Sequence, residues 1–279
     1  MGEAFEIEKG VLIKYRGEDS SAIVPEGVMS IRDRAFWDCK SLKNVTLPEG
    51  VTSIGSGAFS GCSSLKNVTL PDGVTRIGDY AFYECRSLQS VIIPESVTRI
   101  GFEAFLGCSS LKSVSLPEGV TNIVDRTFYD CKSLKSVALP ESVKSIGNEV
   151  FYNCRNMTSV IMPDGLMSIG NAAFFGCKSL TSVALPKGVT SIADNAFCRC
   201  RSLTSVTIPE GVTSVGKKAF ADCSSLASVT IPNTVKSIGN SAFQGCANLS
   251  TVILPKGCDF VWFMHLNPKE RSVAVSFLT

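Results

Sequence analysis

A strict 23-residue period runs through almost the whole chain. Eleven of the twelve prolines stand at 25, 48, 71, 94, 117, 140, 163, 186, 209, 232 and 255. Ten cysteines keep the same step from Cys39 and Cys62 to Cys246, and ten phenylalanines, Phe36 to Phe243, each precede them by three residues. No insertion or deletion interrupts the array. Such self-similarity requires stacked units, each touching only its neighbours, because a unit this short cannot bury its own apolar side.

One unit runs from Leu42 to Cys62. Leu42, Val45 and Leu47 have Leu-x-x-Leu-x-Leu spacing, and the alternation of the last two predicts a strand with one buried face. Pro48 ends it, having no amide to give to a ladder. Val51 and Ile54 flank a second short extended piece closed by Gly55. Ala58, Phe59 and Cys62 suit a single helical or 3₁₀ turn returning to the next rung. Ten such rungs at about 4.8 Å make a rod or shallow arc on the order of 50 Å long. Residues 1–21 read as an N-terminal cap, a hairpin around Lys9-Gly10. Residues 22–257 are the repeats. Residues 258–279 read as a C-terminal cap in which Phe260, Val261, Trp262, Phe263, Val273, Val275 and Phe277 cover the last rung.

Composition narrows the partners. Twenty-seven Lys+Arg against 25 Asp+Glu give a net charge of +2, which does not call for nucleic acid or an anionic membrane. With 44% hydrophobic residues the chain buries a large core. No apolar run approaches the roughly 20 residues of a membrane span, so no membrane insertion is expected. The start Met1-Gly2-Glu3-Ala4-Phe5-Glu6 shows no signal peptide, and Glu6 stands where a myristoylation motif wants Ser or Thr. As written, the chain reads as cytoplasmic. Oligomeric state is left open.

No catalytic constellation emerges, and no cofactor or metal is expected. The single histidine, His265, lies in the C-terminal cap, so histidine triads and histidine metal clusters are ruled out within the array. No phosphate-cradling glycine motif exists. The ten ladder cysteines stand with parallel Cβ vectors, whereas a disulfide needs them to converge to about 3.8 Å. They are read as small apolar core residues. Cys198 lies off the ladder and is expected to be a free, partly exposed thiol, and Cys258 a free thiol in the cap.

The period also sets out rows of surface residues, the candidate interaction surface. After each proline come Glu26, Glu49, Asp72, Glu95, Glu118, Glu141 and Asp164, an acidic ridge that breaks at Lys187. After the cysteines, Lys40, Arg86, Lys132, Arg155, Lys178 and Arg201 form a basic row at the other end of the strand. A third row holds Trp37, Ser60, Tyr83, Leu106, Tyr129, Tyr152, Phe175 and Cys198. It either faces outward as a protein-binding stripe or tucks under the turn as core. The outward strand positions, such as Asn44/Thr46 and Ser113/Ser115, form a smooth floor of small hydroxyls, interrupted by Ala and Ile. Asn44-Val-Thr46, Asn67-Val-Thr69, Asn156-Met-Thr158 and Asn248-Leu-Ser250 fit the glycosylation sequon.

The unit Leu-x-x-Val-x-Leu-Pro-x-x-Val-x-x-Ile-Gly-x-x-Ala-Phe-x-x-Cys closely resembles the BspA-like (Treponema-type) leucine-rich repeats, from about Ala22 to Gly257. The resemblance implies an α/β repeat, mostly β: a single right-handed solenoid of about ten repeats with short parallel strands, one helical or 3₁₀ turn per repeat and a cap at each end. It also implies a cell-surface or secreted setting and adhesin-like binding of another protein. The alternatives are a cytoplasmic scaffold and a calcium- or carbohydrate-linked surface protein.

Overall fold

A computed structural model describes residues 4–254 and the strand Ala274–Phe277. Each repeat contributes a three-residue strand, such as Asn44–Thr46, and a two-residue strand, such as Ser53–Ile54. Where they pair, they do so in parallel and in register with their equivalents one repeat on, as Val45 opposite Val68 and Ile54 opposite Ile77. The longer strands fall into four sheets, parted after Asn67–Thr69, Ser113–Ser115 and Ser159–Ile161. The central valine of the longer strand is buried between two exposed neighbours, as its alternation requires. Strands of this first kind recur from Ser21–Ile23 to Thr251–Leu254, so the solenoid makes about eleven turns rather than ten. At the N-terminus, β1 (Phe5–Glu8) and β2 (Val11–Tyr15) form an antiparallel hairpin, and β2 pairs in parallel with Ser30–Ile31. At the other end Thr251–Leu254 pairs in parallel with Ala274–Phe277. Cys258, Phe260, Val261, Trp262, Phe263 and His265 lie outside the described residues.

The expected helical or 3₁₀ turn is absent among the described residues. The third side of each rung is instead a run of consecutive turns that divides its amides between two directions. Ala58, Ser60 and Cys62 donate backward within the rung to Gly55, Gly57 and Phe59, while Gly57, Phe59 and Gly61 donate across to Asp79, Ala81 and Tyr83 of the next. A helix would keep every amide for itself. Positive φ at two places per turn enforces the division, as at Gly57 (+60°) and Gly61 (+78°). Non-glycine residues, among them Tyr80 and Asp130, accept the same conformation at later rungs, each at a cost of about 1 kcal/mol. No helix among the described residues is long and apolar enough to cross a membrane.

Two ladders run through the core. The rings from Phe36 to Phe243 stack with centroids 4.8–5.7 Å apart. Tyr15 of β2 extends the stack, 5.2 Å from Phe36. A fully buried phenylalanine contributes about 2–3 kcal/mol through area alone, and each ring pair about 0.5–1.5 kcal/mol more. The cysteines are more than apolar filler. Each Sγ from Cys62 to Cys246 donates a hydrogen bond to the carbonyl of the phenylalanine 26 residues earlier, at 3.0–3.2 Å. That carbonyl already accepts the Cys amide three residues on, as Cys62 N does to Phe59 O, so the thiol fills its second lone pair. Cysteine therefore combines small volume with a donor at a point where the backbone needs one.

Burial raises the thiol pKa throughout the interior of this ladder, as at Cys108, Cys131 and Cys154. Cys39 at its start differs. It is only half-buried, and its interaction with the Cys62 side chain holds it below the ordinary thiol value against the opposing effect of desolvation. Only the thiolate is alkylated, so a lowered pKa favours reaction near neutral pH and a raised one suppresses it. Iodoacetamide on the native protein at pH 7.5 is expected to label Cys39 first among residues 4–254, and peptide mapping reads the order. Comparable early labelling of Cys131 or Cys154 would contradict the packed ladder.

The glycine after the shorter strand has a separate cause. A Cβ at Gly78 would lie 2.6 Å from the Gly55 carbonyl carbon and 2.7 Å from Ser56 N, inside backbone of the preceding rung. Three repeats carry side chains there: Arg32, whose strand still pairs with the N-terminal hairpin, and Val124 and Ala193. The two-residue-strand sheet breaks at the rungs of Val124 and Ala193, between Arg99–Ile100 and Asn122–Ile123 and again between Ser168–Ile169 and Ser191–Ile192. Between successive repeats, a side chain at this position coincides with a parting of the strands.

Candidate interaction surface

Three sides enclose the core: the longer strands, the shorter strands, and the turns. The turns carry the aromatic row, and the row satisfies neither expectation fully. Trp37 is 59% exposed. Tyr83, Leu106, Tyr129, Tyr152 and Phe175 are half-buried. Tyr129, Tyr152 and Phe175 stack at 4.6 and 4.5 Å, and the Arg199 guanidinium covers the Phe175 ring at 5.3 Å. Burial, first among several causes, raises the Tyr129 phenol pKa, so it stays protonated at neutral pH. Rigid rings that stay half-exposed offer contact area at little entropic cost.

The row ends earlier than its residue list implies. Cys198 is buried, not partly exposed, because its short side chain does not reach past its neighbours, and desolvation raises its pKa. Ala221 is buried in the same way. Near the other end the row has a gap. Gly57 and Ser60 leave an open recess of about 670 Å³ bounded by Trp37, Tyr80, Tyr83, Arg34, Asp79 and Glu103. Glu103 is held from the far side by Arg126, which also binds Glu149.

The charged rows behave differently from each other. Half of the basic row is locally neutralised by an acid two residues earlier: Lys40 by Asp38 at 3.1 Å, Arg86 by Glu84 at 2.5 Å and Lys132 by Asp130 at 3.0 Å. No ion pair involves Arg155 among the described residues. Glu49, Asp72, Glu95, Glu118, Glu141 and Asp164 of the acidic ridge are all exposed, and none is ion-paired among the described residues. Along the ridge Glu95 accepts the Glu118 amide and Glu118 the Glu141 amide. No three of His, Cys, Asp and Glu converge as a metal site among the described residues. Sequence reasoning missed the recess, whose signal is small residues coinciding at 57 and 60, and the Arg199 cover, which has no signal in spacing.

A long parallel solenoid with a ringed, charged exterior defines a repeat scaffold. The chain belongs to the BspA-type leucine-rich repeat family, whose repeat region matches residues 29–158 and 144–262. Among solved structures it is similar to a leucine-rich cell surface protein from Faecalibacterium prausnitzii, with 28% identity, 100% of this chain and 94% of that one covered, and a TM-score of 0.61. The pneumococcal vaccine antigen PcpA shares the fold at 19% identity and TM-score 0.60, over 89% and 78% of the two chains. A leucine-rich repeat protein from Eubacterium ventriosum does so at 22% and 0.53, over 95% and 86%. No curated protein matches the chain by sequence.

Proposed function

We propose that this protein is a non-enzymatic protein-binding module of adhesin type, which engages another protein through the aromatic row of its first seven rungs. The observation that carries this reading is the stack of half-exposed rings from Tyr129 to Phe175, together with the recess beside Trp37. Preordered aromatic rings flanked by charge are the composition of binding hot spots. The similarity to a bacterial leucine-rich cell surface protein supports a surface setting. The hairpin at residues 1–21 and the segment 258–279 serve as caps of the repeat region 22–257. The acidic ridge and the free members of the basic row steer the partner by charge. Buried, hydrogen-bonded thiols suit either redox compartment, so they lend no support to a cytoplasmic scaffold.

The test is binding of the immobilised chain to a panel of host matrix proteins and bacterial surface preparations. Trp37→Ser is expected to weaken the observed binding by about tenfold or more with the melting temperature nearly unchanged. Tyr152→Ser should weaken it as much, with a modest loss of stability from its two ring contacts. Unaltered binding by both variants, or an empty panel, would remove the support for this surface.

A further inference from the structure

The strand side of the solenoid, away from the aromatic row, carries an apolar line that the binding reading does not use. Ile23, Ile92 and Ile161 occupy its outward third-residue position at 75%, 78% and 66% exposure, on rungs one, four and seven. The same position elsewhere in this stretch holds Thr46, Thr69, Ser115 and Ala138, so each isoleucine stands above a floor of small side chains. Three residues before the outward position come Lys43, Lys66, Lys112 and Lys135, on the four rungs that lack isoleucine. Three residues after it come Glu49, Asp72, Glu118 and Glu141. All eight charges are exposed, and none makes an ion pair among the described residues.

Cation and acid thus lie on opposite sides of the isoleucine line, the lysine just before the strand and the acid in the turn just past it. A half-turn about that line exchanges the two edges. We infer that this face binds a second copy of the chain, the two solenoids running parallel about a twofold axis that follows the isoleucines. Each rung then meets its own counterpart. Ile92 packs on the partner's Ile92, and Lys43, Lys66, Lys112 and Lys135 face the partner's Glu49, Asp72, Glu118 and Glu141. The antiparallel alternative pairs Ile23 with the partner's Ile161 but lays lysine on lysine and acid on acid, so charge selects the parallel form. The isologous geometry asks one surface to complement itself, and the reversal of sign across the isoleucine line supplies that. Seven rungs by the width between the charged edges give a footprint of about 30 Å by up to about 20 Å, the order of the roughly 800 Å² per partner that stable interfaces bury. The lysines and the three-rung spacing of isoleucine do not continue beyond rung seven, although rung eleven again holds Ile253 at the outward position. Rungs eight to ten hold Thr181, Thr204 and Ala227 in place of the lysines, and Ala184, Thr207 and Thr230 in place of isoleucine.

Sedimentation velocity of the full chain from low to high micromolar concentration tests the inference directly. The wild type is expected to pass from monomer to dimer. Ile92→Asp, at an exposed position, should raise the dimer dissociation constant at least about tenfold with an unchanged circular dichroism spectrum. The double variants Lys66→Glu/Lys112→Glu and Asp72→Lys/Glu118→Lys should each be monomeric alone and form a heterodimer when mixed. Under mild oxidation Ile23→Cys should yield a covalent dimer by itself. A wild type that stays monomeric, an Ile92→Asp variant that dimerises normally, or charge variants that fail to associate on mixing would overturn the proposal. Cross-linking of Ile23→Cys only with Ile161→Cys would overturn the parallel arrangement.

Discussion

Replacing Phe128 by alanine is expected to cost about 4 kcal/mol, the middle of the range for truncating a buried phenylalanine. The ring is fully buried and stacked between Phe105 at 5.5 Å and Phe151 at 5.7 Å, with no mobile neighbour to close the hole. Because rungs touch only adjacent rungs, the damage concentrates at one junction near the middle of the array. Urea unfolding followed by circular dichroism should show a lower midpoint and a shallower slope as the two halves lose their cooperativity. Phe243→Ala, whose ring has one stacked neighbour among the described residues, should cost less. Equal losses at the two positions, or less than about 1 kcal/mol at Phe128, would mean that the stack does not carry the core.

Gly78→Val should cost about 2–3 kcal/mol, at the upper end for overpacking, because the obstacle is backbone and not a side chain free to turn away. The Gly78 amide donates to Ile54 O at 2.9 Å, and hydrogen exchange at that position should accelerate sharply in the variant. The reverse change, Val124→Gly, should join the sheet across Ile100 and Ile123 and slow exchange at residue 124. A protected amide at position 78 in Gly78→Val would show that the close approach is not what selects glycine.

The register, the ring ladder and the core were legible because identical residues return at identical spacing, and only stacking explains that. The turns were not. Ala58, Phe59 and Cys62 have the same offsets in a helix and in a chain of turns, and the distinguishing mark is positive φ at two positions per rung. Glycine advertises it at 57 and 61, but Arg34, Tyr80, Glu103 and Arg126 hide it in ordinary side chains. The rows of the candidate surface were legible as lists, whereas exposure along them was not. Cys198 fell below the surface through mere shortness, and the ion pairs from Asp38 to Lys40 and from Asp130 to Lys132 muted a row that had looked uniformly basic. The isoleucines that seemed to interrupt a hydroxyl floor became informative only once their exposure and their three-rung spacing were seen together.

The thiol bonds also give the array a direction in time. Each one reaches 26 residues toward the N-terminus and never forward. Turn amides such as Phe59 N–H point the other way and await the carbonyls of the rung to come. A chain emerging from the ribosome therefore always carries a donor for the coil already laid down and presents an open edge for the coil not yet made. The protein can be wound as it is synthesised, one coil at a time on the seed of its first hairpin, without waiting for its distant end.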